Sequence, residues 1–214
     1  MVSFISYKLE LEILLKSIVP QPSLHAKWLN TLSFLENCGA RLLAACEHPT
    51  KVKSEMLKHA SEEFRHAYYL KQQIKKISAE KHHSYECNLI LGEISSLHYL
   101  RALNVQTCRY LKQRNCGKIR EYSYLLVTYA IEMRAQDLYP LYQEILKQNN
   151  SPVSVNSILR EEEQHLSDIH AELLLLEDHQ EMMNEICAFE NHLCKKWIER
   201  IHLSCAITPR TAQQ

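Results

Sequence analysis

Two runs of the form Glu-x-x-His occur in this chain, Glu63-Phe64-Arg65-His66 and Glu162-Glu163-Gln164-His165. Each follows a segment in which a lone Glu interrupts an apolar stripe, Glu36 before the first and Glu132 before the second. Glu and His three apart on an α-helix share one face, about 60° apart around the axis. A carboxylate on an inward helical face is costly unless it is paired or bound to a metal. The repeat therefore predicts two hairpins, each made of a helix carrying Glu and a helix carrying Glu-x-x-His. In a four-helix bundle they bring four carboxylates and two imidazoles to one point in the core. The separations, 27 residues from Glu36 to Glu63 and 30 from Glu132 to Glu162, suit antiparallel hairpins whose members meet at mid-height.

The motif alone is weak. With 22 Glu and 12 His among 214 residues, roughly one copy is expected by chance, and the chain has four. Glu80-x-x-His83, in a polar stretch, and Glu199-x-x-His202, near the C-terminus, read as coincidence. Context separates the other two. Met56, His59, Glu63, His66 and Leu70 recur at spacings of three and four, as do Ile158, Glu162, His165 and Ile169. Glu36 sits among Trp28, Leu32, Leu35, Gly39 and Leu43, and Glu132 among Leu125, Tyr129 and Ala135. Four such carboxylates repel one another, and two divalent cations are their natural neutraliser.

The rest of the chain supports an all-α reading. Only 3 Gly and 6 Pro interrupt a sequence rich in helix formers. Helices are expected over about 7–18, 23–48 with Ser23 as N-cap, 51–77, 89–113, 119–148, 152–177 and 181–204. Pro140 predicts a bend in the fifth of these, and Ser151-Pro152 predicts the start of the sixth. The expectation is one domain, 1–214, with a metal-binding bundle over about 24–177. Eight Cys form no C-x-x-C pair, which disfavours a zinc ribbon or a rubredoxin module. The sequence contains no secretory signal and no run of about 18 apolar residues, so a cytoplasmic protein with reduced thiols and no membrane partner is expected. Lys plus Arg equals Asp plus Glu at 25 each, so net charge points to no nucleic-acid partner.

The pattern resembles the ferritin-like di-iron carboxylate superfamily over about residues 24–177. The resemblance implies a ferritin-like four-helix bundle with additional N-terminal, inserted and C-terminal helices. It implies Glu36, Glu63, His66, Glu132, Glu162 and His165 as ligands of two Fe ions, with Mn as an alternative at one site and Glu63 and Glu162 bridging or chelating. His59 extends the first run to His-x-x-x-Glu-x-x-His, which is similar to arylamine N-oxygenase members and makes His59 a candidate seventh ligand; the alternative is a helix histidine facing a neighbour. Tyr129, one turn before Glu132, is a candidate for bonding a ligand or for a redox role, or is ordinary core; Asp168 is a candidate for holding an imidazole of another helix, or is exposed. Gly39 and Ala40 leave space beside Glu36 for dioxygen or substrate, or simply let helices pack closely.

The activity so implied is that of a non-haem di-iron oxidase or oxygenase. Such a protein activates dioxygen at a Glu4His2 site to oxidise a small organic substrate, with an external electron donor. The missing rubredoxin cysteines and the added helices favour it over the alternative of a ferroxidase or rubrerythrin-like protein that handles iron or peroxide. A further alternative is a tRNA-hydroxylase-like di-iron monooxygenase, similar around Ile131-Glu132-Met133-Arg134-Ala135 and from Arg160 to His165. The acid-free run of Arg109, Lys112, Arg114, Lys118 and Arg120 would then meet RNA phosphates. Against that stands the ordinary reading of a charge run as a solvated face. A homodimer fits the resemblance as well.

Overall fold

Seven α-helices carry the chain in the computed structural model, which describes residues 4–79 and 82–207. They are α1 (Lys8–Ile18), α2 (Pro22–Cys46), α3 (Ser54–Ile74), α4 (Glu93–Gln113), α5 (Ile119–Gln148), α6 (Asn156–Leu173) and α7 (His179–Ile207), with one 3-10 turn at Cys87–Leu89. No strand occurs among the described residues. Glu80 of the Glu80-x-x-His83 run lies outside them. No helix is long and apolar enough to cross a membrane.

Two hairpins dominate the packing. α2 lies against α3, α5 against α6, and α4 with α7 closes over α5. The stripes that drive this are visible in what each helix buries. α3 turns His59, Glu63, His66 and Leu70 inward, and α6 turns Ile158, Glu162, His165 and Ile169 inward at the same relative positions. α1 adds Leu11, Leu14, Leu15 and Ile18, all without solvent exposure, against α5, α7 and α2. Trp28 and Trp197 stack beneath it, ring centroids 5.7 Å apart.

Several helix ends differ from the sequence expectation, each for a local reason. α2 begins at Pro22 with Gln21 as the cap, since proline at the first helical position has no N–H to satisfy. α3 starts at Ser54 because the His48 ring Nδ1 accepts hydrogen bonds from the Thr50 and Lys51 amides and holds that stretch in a turn. α4 starts at Glu93 behind Gly92, whose φ of +74° favours glycine and where a Cβ would stand 2.8 Å from Ser96 Oγ. Ser151-Pro152 does not open α6. The Gln73 and Gln143 side-chain carbonyls accept from the Ser154 and Val155 amides, which delays the helix to Asn156. α5 is helical throughout its 30 residues, Pro140 included.

A buried histidine ties the first helical pair to α5. His25 is 1 % exposed, and its Nε2 shares a 2.6 Å hydrogen bond with the Tyr142 hydroxyl. Burial lowers the His25 pKa from 6.5 to about 4. The folded state therefore resists a proton that the unfolded chain accepts. This site costs nothing above pH 6.5 and destabilises the fold increasingly as pH falls from 6.5 to about 4. The full effect is about 3 kcal/mol. His25→Gln should flatten this limb of a stability-against-pH curve measured by urea unfolding; an unchanged slope between pH 6.5 and 4 would contradict it.

Candidate metal centre

α2, α3, α5 and α6 each place at least one acidic side chain at the same level of the bundle. Two groups of potential ligands result, one of His59, Glu63, Glu132 and His165 and the other of Glu36, Glu63, His66 and Glu162. Within each group one ligand atom per residue lies within 4.8 Å of the rest, and Glu63 belongs to both. Glu162 also faces both: Oε1 is 3.0 Å from His66 Nδ1, and Oε2 is 3.7 Å from His165 Nδ1. Glu63 Oε1 is 3.4 Å from His59 Nε2, 3.7 Å from His165 Nδ1 and 3.9 Å from His66 Nδ1.

The inward atoms of this cluster face one another rather than the surrounding protein. His59 Nε2, His66 Nδ1, His165 Nδ1, Glu132 Oε2 and Glu162 Oε1 are all buried, and none bonds to a group outside the cluster. A buried polar atom left unpaired is costly. Five such atoms converge on one point from three helices, and the cluster could hold a metal ion. The charge count agrees, because four carboxylates and three neutral imidazoles are balanced by two divalent ions.

The titration behaviour of the bare cluster shows the same imbalance. Burial first, and then the charges of Glu36, Glu162 and Glu132, push the Glu63 carboxyl well above the usual range. Burial and then Glu132 raise Glu162. Burial alone would lower both inner histidines, but facing carboxylates outweigh it. Glu162 and Glu36 bring His66 up to about 10, and Glu132 and Glu162 bring His165 up to about 11. His59 instead falls to about 4, through burial and then the neighbouring His165 ring 4.0 Å away. The bare site thus holds protons where cations would sit.

Behind the two inner histidines stands a symmetric support. His66 Nε2 lies 2.8 Å from Glu161 Oε2, and His165 Nε2 lies 2.9 Å from Glu62 Oε2. Each imidazole is thus held by the residue that precedes the ligand Glu on the opposite helix, which leaves Nδ1 to face the centre. Arg65 pairs with Glu161 and Lys58 with Glu62. The sequence reading did not identify Glu62 and Glu161. Their signal was the doubled form Glu-Glu-x-x-His, present in both halves. Changing either to Gln keeps the shape and weakens the ring's orientation, so Glu62→Gln and Glu161→Gln should each weaken metal binding about 10- to 100-fold in a competition with a chelating dye.

The two halves are not equal. Four residues before the ligand Glu, α3 has His59 where α6 has Ile158, and His59 Nε2 reaches 3.2 Å from Glu132 Oε1. Seven residues after the outer Glu, α5 has Tyr139 where α2 has Leu43, and the Tyr139 hydroxyl donates to Glu36. Tyr129, expected beside the ligands, is buried with its ring stacked on His170 of α6, and among the described residues no hydrogen bond joins it to the cluster. Asp168 is exposed and accepts from Gln164. Gly39 earns its place by proximity, since a Cβ there would stand 3.2 Å from Glu63 Oε2.

A cavity of about 100 Å³ lies against one side of the cluster. Glu36, His59, Glu63 and Glu132 line it, while His66, Glu162 and His165 do not. Most of its remaining wall is aliphatic or aromatic, from Leu32, Leu35, Leu100, Ile131, Leu138 and Trp197. The centre has an open apolar face and a closed acidic back. The basic run from Arg109 to Arg120 does not form one patch. Arg114 is paired with Asp178 and Glu181, while Lys118 and Arg120 turn toward a separate cleft shared with His48, Lys51 and Lys53. Comparison of the chain with known protein families, with curated proteins and with solved structures gives no match. The buried Glu/His cluster is compatible with a di-iron site, and the reading of function rests on it.

Proposed function

We propose that this chain is a non-haem di-iron oxidase or oxygenase of the ferritin-like type, which activates dioxygen to oxidise an organic substrate. One ion would be held by Glu36, Glu63, His66 and Glu162, and a second by His59, Glu63, Glu132 and His165. When bound, the irons supply the reduction of dioxygen and the oxidising power directed at the substrate. The protein supplies the rest. Glu63 belongs to both ligand groups and Glu162 faces a histidine of each, so these two carboxylates would connect the two ions. Glu62 and Glu161 fix the imidazole tautomers. Tyr139 holds Glu36 by its hydroxyl proton and places that proton at the edge of the cavity. The apolar wall excludes water from the open face.

The observation that carries this reading is the convergence of buried carboxylate and imidazole atoms, turned toward one another, beside an apolar cavity. The cavity separates it from a structural metal site, which would be closed, and from a ferroxidase, whose entry route is acidic. The reading is tested by loading the chain anaerobically with ferrous ion and then admitting dioxygen with a reductant. Catalytic dioxygen uptake sustained by the reductant is expected. Uptake that stops once the bound iron is oxidised, and resumes only with fresh iron, would favour iron handling instead.

The second reading, an RNA substrate, draws on the cleft of about 370 Å³ lined by His48, Lys51, Lys53, Lys118 and Arg120. Tyr124 lines that cleft and meets the His59 ring edge-on at 6.5 Å. RNA binding that weakens steeply with salt would support it.

A further inference from the structure

The cavity beside the cluster limits what can reach it. A cavity of roughly 150 Å³ lined by apolar side chains stays dry and binds benzene. At about 100 Å³ this one accepts nothing much larger. Charge limits it further. Four of its ionisable lining groups, Glu36, His59, Glu63 and Glu132, are the ligand candidates themselves. The one cation on its wall is Arg134, and that guanidinium is already spent. It donates to both Glu190 oxygens, at 2.9 and 2.7 Å, and to Asp137 Oδ2 at 3.0 Å. With the ions in place no unpaired charge of either sign faces the cavity.

The wall's hydroxyls are equally committed, with one exception. Tyr99 donates to Glu190 and Tyr139 to Glu36, and the Trp197 indole N–H donates to Ser96 at 2.8 Å. Thr128 lies one turn before Glu132, is 7 % exposed, and lines the cavity. Among the described residues no hydrogen bond joins its hydroxyl to the protein, which makes it a candidate partner for a ligand's polar group.

Resting on the di-metal reading, we propose that this cavity selects a compact, uncharged, largely apolar substrate of about benzene size, whose single hydrogen-bonding group meets the Thr128 hydroxyl. The apolar wall disfavours charged compounds, and the small volume disfavours bulky ones.

The test needs no turnover. Binding of fluorobenzene, 4-fluorophenol, 4-fluorobenzoate and 4-fluorobenzylammonium to the full chain is followed by fluorine NMR. The indole cross-peaks of the chain's 2 Trp report the place, since Trp197 lines the cavity and Trp28 does not. With metal bound, fluorobenzene and 4-fluorophenol should shift the Trp197 cross-peak. The phenol should bind about fivefold more tightly, the worth of one hydrogen bond. The two ions should bind at least about tenfold more weakly than fluorobenzene. Thr128→Val should remove the advantage of the phenol and leave fluorobenzene unchanged. Ala135→Phe should fill the space and abolish binding of all four, with circular dichroism confirming the fold; Leu35→Phe serves the same end from α2. Benzoate or benzylammonium binding as tightly as fluorobenzene, or saturation without movement of Trp197, would overturn the proposal. Repeating the fluorobenzene and benzoate titrations on chelated protein separates the two readings. Neutral-ligand preference in a chain that takes up no metal would preserve the cavity and sink the di-metal centre. Full metal uptake with no neutral-ligand preference would do the reverse.

Discussion

Glu63→Ala is expected to reduce metal binding from two ions per chain to one at most, without unfolding the protein. Glu63 is the one residue common to both ligand groups, so its loss removes a donor from each. Loss of a supporting carboxylate behind a ligand already weakens metal binding about 10- to 100-fold, and loss of a shared ligand exceeds that. The effect on stability has the opposite sign in the bare protein. Glu63 is buried, and Glu36, Glu162 and Glu132 surround it closely enough to raise its pKa beyond what burial does. Alanine relieves that crowding, so metal-free Glu63→Ala should melt no lower than the metal-free parent. The rise in melting temperature on adding metal, present in the parent, should vanish in the variant. Glu162→Ala should behave in the same way, because its two oxygens face opposite halves of the centre. Two ions per chain in both variants would remove the basis for the shared site.

Arg134→Met is the second large effect, and it falls on folding. Arg134 is the hub that fastens α5 to α7 and to the segment ahead of α1. Besides Glu190 and Asp137 it donates to the Ile5 carbonyl at 3.1 Å, and its guanidinium lies 4.4 Å from the Phe4 ring centroid and 5.0 Å from that of Tyr7. Glu190 is 0 % exposed and Asp137 is 4 % exposed. Methionine fills much of the volume but leaves Glu190 in a low-dielectric interior without its cation, and Asp137 with only Lys8 at 3.9 Å and the Ser6 and Tyr7 donors. Breaking a buried ion pair from one side costs about 3–5 kcal/mol, which for a chain of this size lowers the melting temperature by roughly 10 °C. Adding Glu190→Leu should recover part of the loss, since an apolar pair of similar volume is tolerated better than a lone buried charge. Equal stability of Arg134→Met and the parent in urea unfolding would show that the network is dispensable. The variant also tests the cavity, because Arg134 forms part of its wall.

How much of this was legible in the sequence follows from geometry on a single helix. Positions at spacings of three and four share a face whatever the helix packs on, so the inward stripe of α3 and that of α6 could be read directly. The pairing of Glu36 with Glu63 and of Glu132 with Glu162 followed from segment lengths. Features that depend on how one helix crosses another were not legible. Glu62 and Glu161 adjoin ligands in sequence, but adjacent helical residues point about 100° apart. Only the approach of α3 to α6 turns each toward the imidazole of the other. The tyrosine beside the ligands follows the same logic. Tyr129 is about 60° around the helix from Glu132, whereas Tyr139, seven residues on, is within about 20° of it. Tyr139 therefore looks across to Glu36, and Tyr129 meets His170. Helix starts were misplaced where distant side chains satisfy the backbone. Gln73 and Gln143 hold the residues after Ser151-Pro152 out of the helix, which no local capping rule anticipates.

The asymmetry of the centre was half visible. His59 stood out in the sequence as an extension of the first run, and the structure places its Nε2 between Glu63 and Glu132. Its counterpart, Ile158, carries meaning only once the two hairpins are superposed as equivalent halves. Of the two ligand groups, which share Glu63, one offers two imidazoles and two carboxylates and the other one imidazole and three carboxylates. A donor set richer in imidazole suits iron, and one richer in carboxylate suits manganese.

The claim on which the rest depends is that two divalent ions share one carboxylate-rich site. Anaerobic titration of the full chain with ferrous ion, followed by removal of unbound metal and counting of iron per chain, tests it most directly. The two groups of ligands predict two ions per chain, reduced to at most one by Glu63→Ala. Retention of no iron by the parent chain, or of one ion that survives Glu63→Ala, would contradict the account.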